Sequence, residues 1–225
     1  KEYSIPADAD YLHITTNNTI FGTQIKNIPD SDTVLVSDSS SDIFSRELDF
    51  SKFGILYAGA QKNMGPAGTT LVVVREDVLG KVTHSIPSML DYEIHISKGS
   101  MFNTPPVFAV YTSMLTLEWL KNLGGIKAIE TKNNAKADLI YREIDRNQLF
   151  KGFAAQEDRS TMNATFTLEE AKLKERFDSM CADALINGIN GHRSVGGYRA
   201  SMYNALPIAA VQTLVDVMKE LERTA

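Results

Sequence analysis

The hydrophobic pattern divides the chain into two unlike halves. In the first half apolar residues come in short dense runs: Tyr11–Thr15, Thr33–Ser37, Gly54–Ala58 and Thr69–Arg75. Three of these are nearly continuous, which predicts strands buried on both faces of a parallel or mixed sheet covered by helices. In the second half the period lengthens. Pro105 and Pro106 start a helical run through Val107, Val110, Tyr111, Met114, Leu115 and Leu117, closed by Gly124-Gly125. A more polar helix is predicted over 126–147, a strand over 163–168, a helix over 169–186 and a strand near 198–202. A last helix over 207–222 has Pro207 in its first turn and Val211, Leu214, Val215, Met218 and Leu221 on one face. The expected class is α/β, a mainly parallel sheet with flanking helices plus a smaller α+β C-terminal domain. The boundary falls near residue 125, giving domains 1–125 and 126–225.

Charge and cysteine content narrow the function. Lys plus Arg number 23 against 28 Asp plus Glu, a net charge of −5. That balance does not suit general nucleic-acid binding, which needs a basic surface. The single cysteine, Cys181, rules out an internal disulfide and a multi-cysteine metal site. It shares an apolar helix face with Phe177 and Leu185, so a buried structural thiol in a reducing, cytoplasmic setting is expected. His13, His84 and His95 have no acidic or cysteine company at metal spacing and read as packing or surface residues. No apolar run approaches the roughly 20 residues of a membrane span. The opening Lys1–Pro6 has neither the basic nor the apolar region of a signal peptide.

Two residues then stand out. Lys62 follows the strand at 54–58 inside a run of small residues, Ala58-Gly59-Ala60-Gln61-Lys62-Asn63-Met64-Gly65. Small residues allow close approach of a ligand, and a lysine there suits Schiff-base chemistry, although a solvent-facing loop lysine has the same pattern. Asp38 closes the strand at 33–37, where an α/β sheet presents groups to its ligand crevice; a turn or cap role is the alternative. A lysine and an aspartate closing two strands of one sheet suit pyridoxal phosphate, the carboxylate pairing with the ring nitrogen. Further on, His192, Arg193 and Arg199 lie among Gly191, Gly196 and Gly197, a cationic group that fits carboxylate or phosphate, or else surface arginines around a turn.

The chain resembles the phosphoserine aminotransferase family, fold-type-I, class-V enzymes that use pyridoxal 5′-phosphate. The likeness rests on Asn18-Thr19-Ile20, Asp38 with Ser40-Ser41-Asp42, Gly59-Ala60-Gln61-Lys62-Asn63, Asn103-Thr104-Pro105-Pro106, Asp158-Arg159-Ser160 with Met162-Asn163, and His192-Arg193 with Gly196-Gly197 and Arg199. These run in family order over almost the whole chain. The resemblance implies that Lys62 attaches the cofactor, with Asp38 on the pyridine nitrogen, Thr19 on the ring oxygen and Gln61 beside the phosphate. It implies that Asn103 and Thr104 reach the cofactor phosphate of the other subunit of a homodimer. Arg199 then holds the substrate α-carboxylate, while His192 and Arg193 face the distal phosphate or the glutamate side chain. The implied reaction exchanges an amino group between phosphoserine with 2-oxoglutarate and 3-phosphohydroxypyruvate with glutamate, in serine biosynthesis. Other readings are another fold-type-I enzyme, a lyase or desulfurase, and an inert dimerising fragment. The family's glycine-rich phosphate grip and ring-stacking aromatic lie well upstream of the lysine, and neither is found in the 61 residues before Lys62. The likeness is therefore to about the C-terminal two thirds of the family.

Overall fold

The computed structural model describes residues 5, 6 and 8–225. Residues 1–4, on which part of the signal-peptide reading rests, lie outside them. β1 (Tyr11–Thr15) runs directly into a small antiparallel hairpin of β2 (Asn17–Asn18) and β3 (Thr23–Gln24). β4 (Val34–Asp38), β5 (Ile55–Gly59) and β6 (Thr70–Val74) complete a four-stranded sheet in the order β1-β4-β5-β6. The β1–β4 and β4–β5 pairings are parallel and β5–β6 is antiparallel, so the sheet is mixed.

The predicted strands lie within a residue or so of the observed ones, but their burial differs from expectation. β4 and β5 alternate between buried and half-buried positions, and Val72 and Val73 of β6 are exposed. One face, with Leu35, Leu56 and Ala58, packs on Ile43, Phe53, Ala60 and Met64 as a compact core. On the other face the β-branched residues are only half covered, and β6, an edge strand, is bonded on one side.

α1 (Tyr92–Ser97) is a short helix that no periodicity announces. α2 (Val107–Asn122) begins one residue after Pro106, which caps it rather than occupying its first turn. Its apolar residues ring the helix: Ala109 and Leu120 are buried, as is the polar Ser113, whereas Phe108, Tyr111, Met114 and Trp119 are exposed. Gly124 and Gly125, both at positive φ, turn the chain into α3 (Gly125–Arg146). β7 (Phe150–Gly152), β8 (Asn163–Leu168), α4 (Lys174–Asp183), β9 (Tyr198–Ser201) and α5 (Ile208–Thr224) follow. The helix expected over 169–186 is shorter, a single tight turn at 171–173 followed by α4, and Leu185 at φ 59° ends it. Pro207 again caps its helix from outside.

β7, β8 and β9 form an antiparallel sheet in sequence order, with α3, α4 and α5 packed around it. Its core is aromatic. Phe177 is fully buried, with ring centroids 5.1 Å from Phe150 and 4.9 Å from Tyr198. Cys181 is buried in the same core, where desolvation pushes its thiol up to about 11.

Candidate active site

β4 and β5 run parallel, with Asp38 beside Tyr57 in register, so both strands end at the same edge of the sheet. Asp38 is the last residue of β4, and its carboxylate accepts the Ser40 backbone N–H at 2.9 Å. Beyond β5 the chain turns tightly, Met64 and Gly65 N–H both bonding the Ala60 carbonyl. Lys62 lies in that turn. Its Nζ donates to Thr19 Oγ1 at 3.3 Å, across from the β2–β3 hairpin. Gln61 folds its side-chain amide over Gly59, where an added Cβ would lie 2.6 Å from Gln61 Oε1.

The hairpin that carries Thr19 is held from both sides. Asn17, buried, donates to Ser41 Oγ on one side and to Asn163 Oδ1 on the other, each at 2.9 Å, and accepts from Ser160 Oγ. Ser160 N–H bonds the Gly22 carbonyl, and Thr165 Oγ1 bonds the Phe21 carbonyl at 2.9 Å. Gly22 sits at φ 67°, with Thr165 Oγ1 only 2.5 Å from where a Cβ would lie, so no other residue fits that contact. Asp42, fully buried, accepts from Thr16, Gln24 and Arg46 beneath the hairpin. Burial raises its carboxyl above the usual carboxylate range, against the pull of those donors.

The turn that carries Lys62 is tied to the β7–β9 layer by a row of amides. Asn63, Asn204 and Asn133 donate in turn to three successive carbonyls, those of Ile43, Phe44 and Ser45, at 3.0, 2.9 and 3.0 Å. Asn204 N–H also bonds Asn63 Oδ1 at 3.0 Å, and Asn133 Nδ2 bonds Asn204 Oδ1 at 2.9 Å. Phe44, at φ 56°, is the central residue of the row, and the flanking bonds hold it in that uncommon conformation.

Arg199 stands on β9 opposite Thr165, the residue that grips the hairpin. Its Nε is buried and makes no hydrogen bond among the described residues. His192 Nδ1 lies 2.7 Å from Ser194 Oγ, and Arg193 is exposed. The loop between them and Arg199 closes on Gly191, whose N–H bonds the Gly197 carbonyl at 2.9 Å. Asn103 and Thr104 lie in an exposed stretch ahead of α2, with Asn103 Nδ2 bonding the Thr104 carbonyl. The structure thus brings Lys62, Thr19 and Asp38 to one sheet edge, joins Arg199 to them through the hairpin and Thr165, and leaves Asn103 and Thr104 apart. The clamp formed by Asn17, Ser160, Asn63, Asn133 and Asn204 was not foreseen, although Asn63, Ser160 and Asn163 belong to the motifs quoted above.

Lys62 and Asp38 thus stand at the carboxyl ends of adjacent parallel strands, where α/β sheets present their ligand crevice. The comparisons give the family. A model of class-V aminotransferases matches residues 2–214, and the chain belongs to that family. It is 68% identical over 222 residues to the phosphoserine aminotransferase of Flavobacterium psychrophilum, covering 99% of this chain and 62% of that protein. The phosphoserine aminotransferase of Bacteroides thetaiotaomicron is 55% identical over 225 residues, 63% of its length. Among solved structures, phosphoserine aminotransferase from Bacillus circulans subsp. alkalophilus superposes with a TM-score of 0.94 at 41% identity, covering 98% of this chain and 62% of that one. The fold is that of the fold-type-I aminotransferases. The chain spans about 62% of the length of the curated relatives it matches.

Proposed function

We propose that this chain is the greater part of a phosphoserine aminotransferase, exchanging an amino group between phosphoserine with 2-oxoglutarate and 3-phosphohydroxypyruvate with glutamate. The observation that carries the reading is the placement of the Lys62 amine against Thr19 at the edge where β4 ends in Asp38. The donor set fits pyridoxal phosphate: an amine, a hydroxyl and a carboxylate at one edge, and an unpaired buried guanidinium atom beyond the hairpin. When bound, that cofactor supplies an aldehyde for covalent attachment and a ring that accepts electron density.

The chain's residues do the rest. With the cofactor bound, Lys62 Nζ would hold it and, once freed, would move the proton between the substrate α-carbon and the cofactor carbon C4′. Asp38 would hold its negative charge at the ring nitrogen, Thr19 would donate to the ring oxygen, and Gln61 would serve the phosphate. Asn103 and Thr104 of each subunit of a homodimer serve the phosphate of the other. Arg199 takes the substrate α-carboxylate, and His192 and Arg193 take the distal phosphate or the glutamate carboxylate. Residues 1–125 belong to the large cofactor-binding domain and 126–225 to the small one. The enzyme acts in the cytoplasm, in keeping with a single buried, free cysteine. Among the described residues no helix is long and apolar enough to cross a membrane.

A desulfurase reading needs a mobile nucleophilic cysteine. Cys181 is 1% exposed in α4 with its thiol raised to about 11, the opposite of what that chemistry requires. The test uses the full-length protein. Its visible absorption band with pyridoxal phosphate should change on adding glutamate, and borohydride should fix the cofactor to the wild type and not to Lys62→Ala. Cofactor fixed equally in Lys62→Ala, or no response to glutamate, rejects the proposal.

A further inference from the structure

Thr19 meets Lys62 from a segment too small to hold its own place. The β2–β3 hairpin has two residues in each strand, paired as Asn17 with Gln24 and Asn18 with Thr23. A two-stranded ribbon is marginal by itself even when longer. Asn18 shapes the turn between the strands. Its Oδ1 accepts the Ile20 and Phe21 N–H groups at 3.0 and 3.2 Å, and its carbonyl accepts the Gly22 N–H at 2.9 Å. These bonds fix the loop internally and leave open where it stands over Lys62.

That placement comes from β8. Alternation turns Ala164 and Phe166 to the core of the β7–β9 layer, so Asn163 and Thr165 face the other way, and all four are buried. Thr165 Oγ1 donates to the Phe21 carbonyl at 2.9 Å. The Phe21 ring stacks on Phe153 with centroids 5.9 Å apart, and the Phe153 N–H bonds the Thr165 carbonyl at 3.0 Å. Asn163 Oδ1 accepts from Asn17 at 2.9 Å. Thr19 lies midway in the chain between these two ties, at Asn17 and at Phe21.

Resting on the assignment of Thr19 to the ring oxygen, we propose that Thr165 is a positioning residue that sets the Thr19 hydroxyl against Lys62 and the cofactor. Thr19 Oγ1 accepts from Lys62 Nζ at 3.3 Å and keeps its own proton to donate. Such a donor works only within hydrogen-bond geometry, beyond which the interaction falls away steeply. Thr165 supplies the tie on the carboxyl side of Thr19. Gly22, at φ 67°, brings the turn so close that a Cβ there would stand 2.5 Å from Thr165 Oγ1. Thr165 is also opposite Arg199 in the β8–β9 register, so an effect through the substrate carboxylate has to be told apart from one through Thr19.

The experiment is a double-mutant cycle in the full-length, cofactor-loaded protein, comparing wild type, Thr165→Val, Thr19→Val and the double variant. The readout is the pH midpoint of the visible cofactor band without substrate, with KM for glutamate measured alongside. A ring oxygen that loses a donor holds a proton more tightly, so Thr19→Val should raise the midpoint by about half a pH unit or more. Thr165→Val should move it the same way by less. In the Thr19→Val background it should do nothing further, because Thr165 acts through Thr19. Thr165→Ser keeps the hydroxyl and should stay at the wild-type midpoint. Gly22→Ala, a second variant, pushes the turn off β8 without altering the β7–β9 sheet and should act as Thr165→Val does. An unmoved midpoint in both Thr165→Val and Gly22→Ala overturns the proposal, as does an equal shift with and without the Thr19 hydroxyl. A shift in Thr165→Ser as large as in Thr165→Val overturns it as well. A raised KM with an unmoved midpoint also overturns it and assigns Thr165 to Arg199 instead. All of these leave the aminotransferase reading intact. If Thr19→Val alone leaves the midpoint at the wild-type value, the assignment of Thr19 to the ring oxygen fails, and the positioning role fails with it.

Discussion

Lys136 gives a quantitative test of the packing between α3 and the end of β9. It is 1% exposed, and its amine donates to the Met202 and Tyr203 carbonyls at 2.9 and 2.8 Å. Desolvation lowers it from an ordinary 10.5 to about 8. The lowered value means that the unfolded chain binds the proton more tightly than the folded one. Stability therefore rises with pH between about 8 and 10.5 and is lowest where the amine is charged in both states. At about 1.4 kcal/mol per pH unit, the full cost of folding with a charged Lys136 is about 3 kcal/mol, of which roughly 2 is recovered between pH 7 and 9.5.

Lys136→Met keeps the aliphatic stem and removes the titration. It also leaves two carbonyls without their donor, at about 1–3 kcal/mol each. That loss does not depend on pH and sets only the offset between the two proteins. Urea unfolding of both full-length proteins from pH 7 to 9.5 measures the difference. Lys26, also lowered to about 8 chiefly by burial, is common to both and cancels. The wild type should gain about 2 kcal/mol on the variant across that range. A stability difference that stays constant with pH refutes the reasoning, since the amine would then titrate alike in both states.

Other expectations follow from the same structure. Phe177→Ala, which empties a fully buried site between Phe150 and Tyr198, should cost about 3–5 kcal/mol, read as a lower urea midpoint. Asp38→Asn should slow the amino-transfer half-reaction by orders of magnitude in single-turnover experiments while cofactor stays bound; a near-normal rate rejects the pairing with the ring nitrogen. For a dimer with shared sites, mixing inactive Lys62→Ala with an inactive Asn103/Thr104 double alanine should restore part of the activity. A mixture that stays inactive after verified subunit exchange counts against it.

The sequence revealed the elements that bury one face along a regular period. β1 and β8 were legible to the residue because their apolar residues alternate or run together between polar breaks. α3 and α5 were legible because Ile129, Ile140 and Ile144, and Val211, Leu214, Met218 and Leu221, recur at helical spacing. β2, β3 and β7 are two or three residues long, too short to show a period, and α1 has no buried residue. Burial on both faces, which the dense apolar runs suggest, is not what β4 and β5 show. Val-rich runs such as Leu71-Val72-Val73-Val74 state that a face is apolar, and what covers it depends on other elements.

The candidate site divides along the same line. Lys62 and Asp38 were visible because each closes a readable strand, and a strand's end has a fixed place in an α/β sheet. The clamp was not visible, because an asparagine carries no periodic signal and its partners lie far along the chain. Asn17 bonds Asn163 across 146 positions, and Asn204 bonds Asn63 across 141. Each such residue taken alone reads as a turn. Their buried amides bond one another and a row of carbonyls, and each of those bonds favours one relative placement of the two layers. The residues that present an amine and a carboxylate are local to the sheet edge. The residues that hold them there come from both ends of the chain, and it is folding, rather than any motif, that collects them.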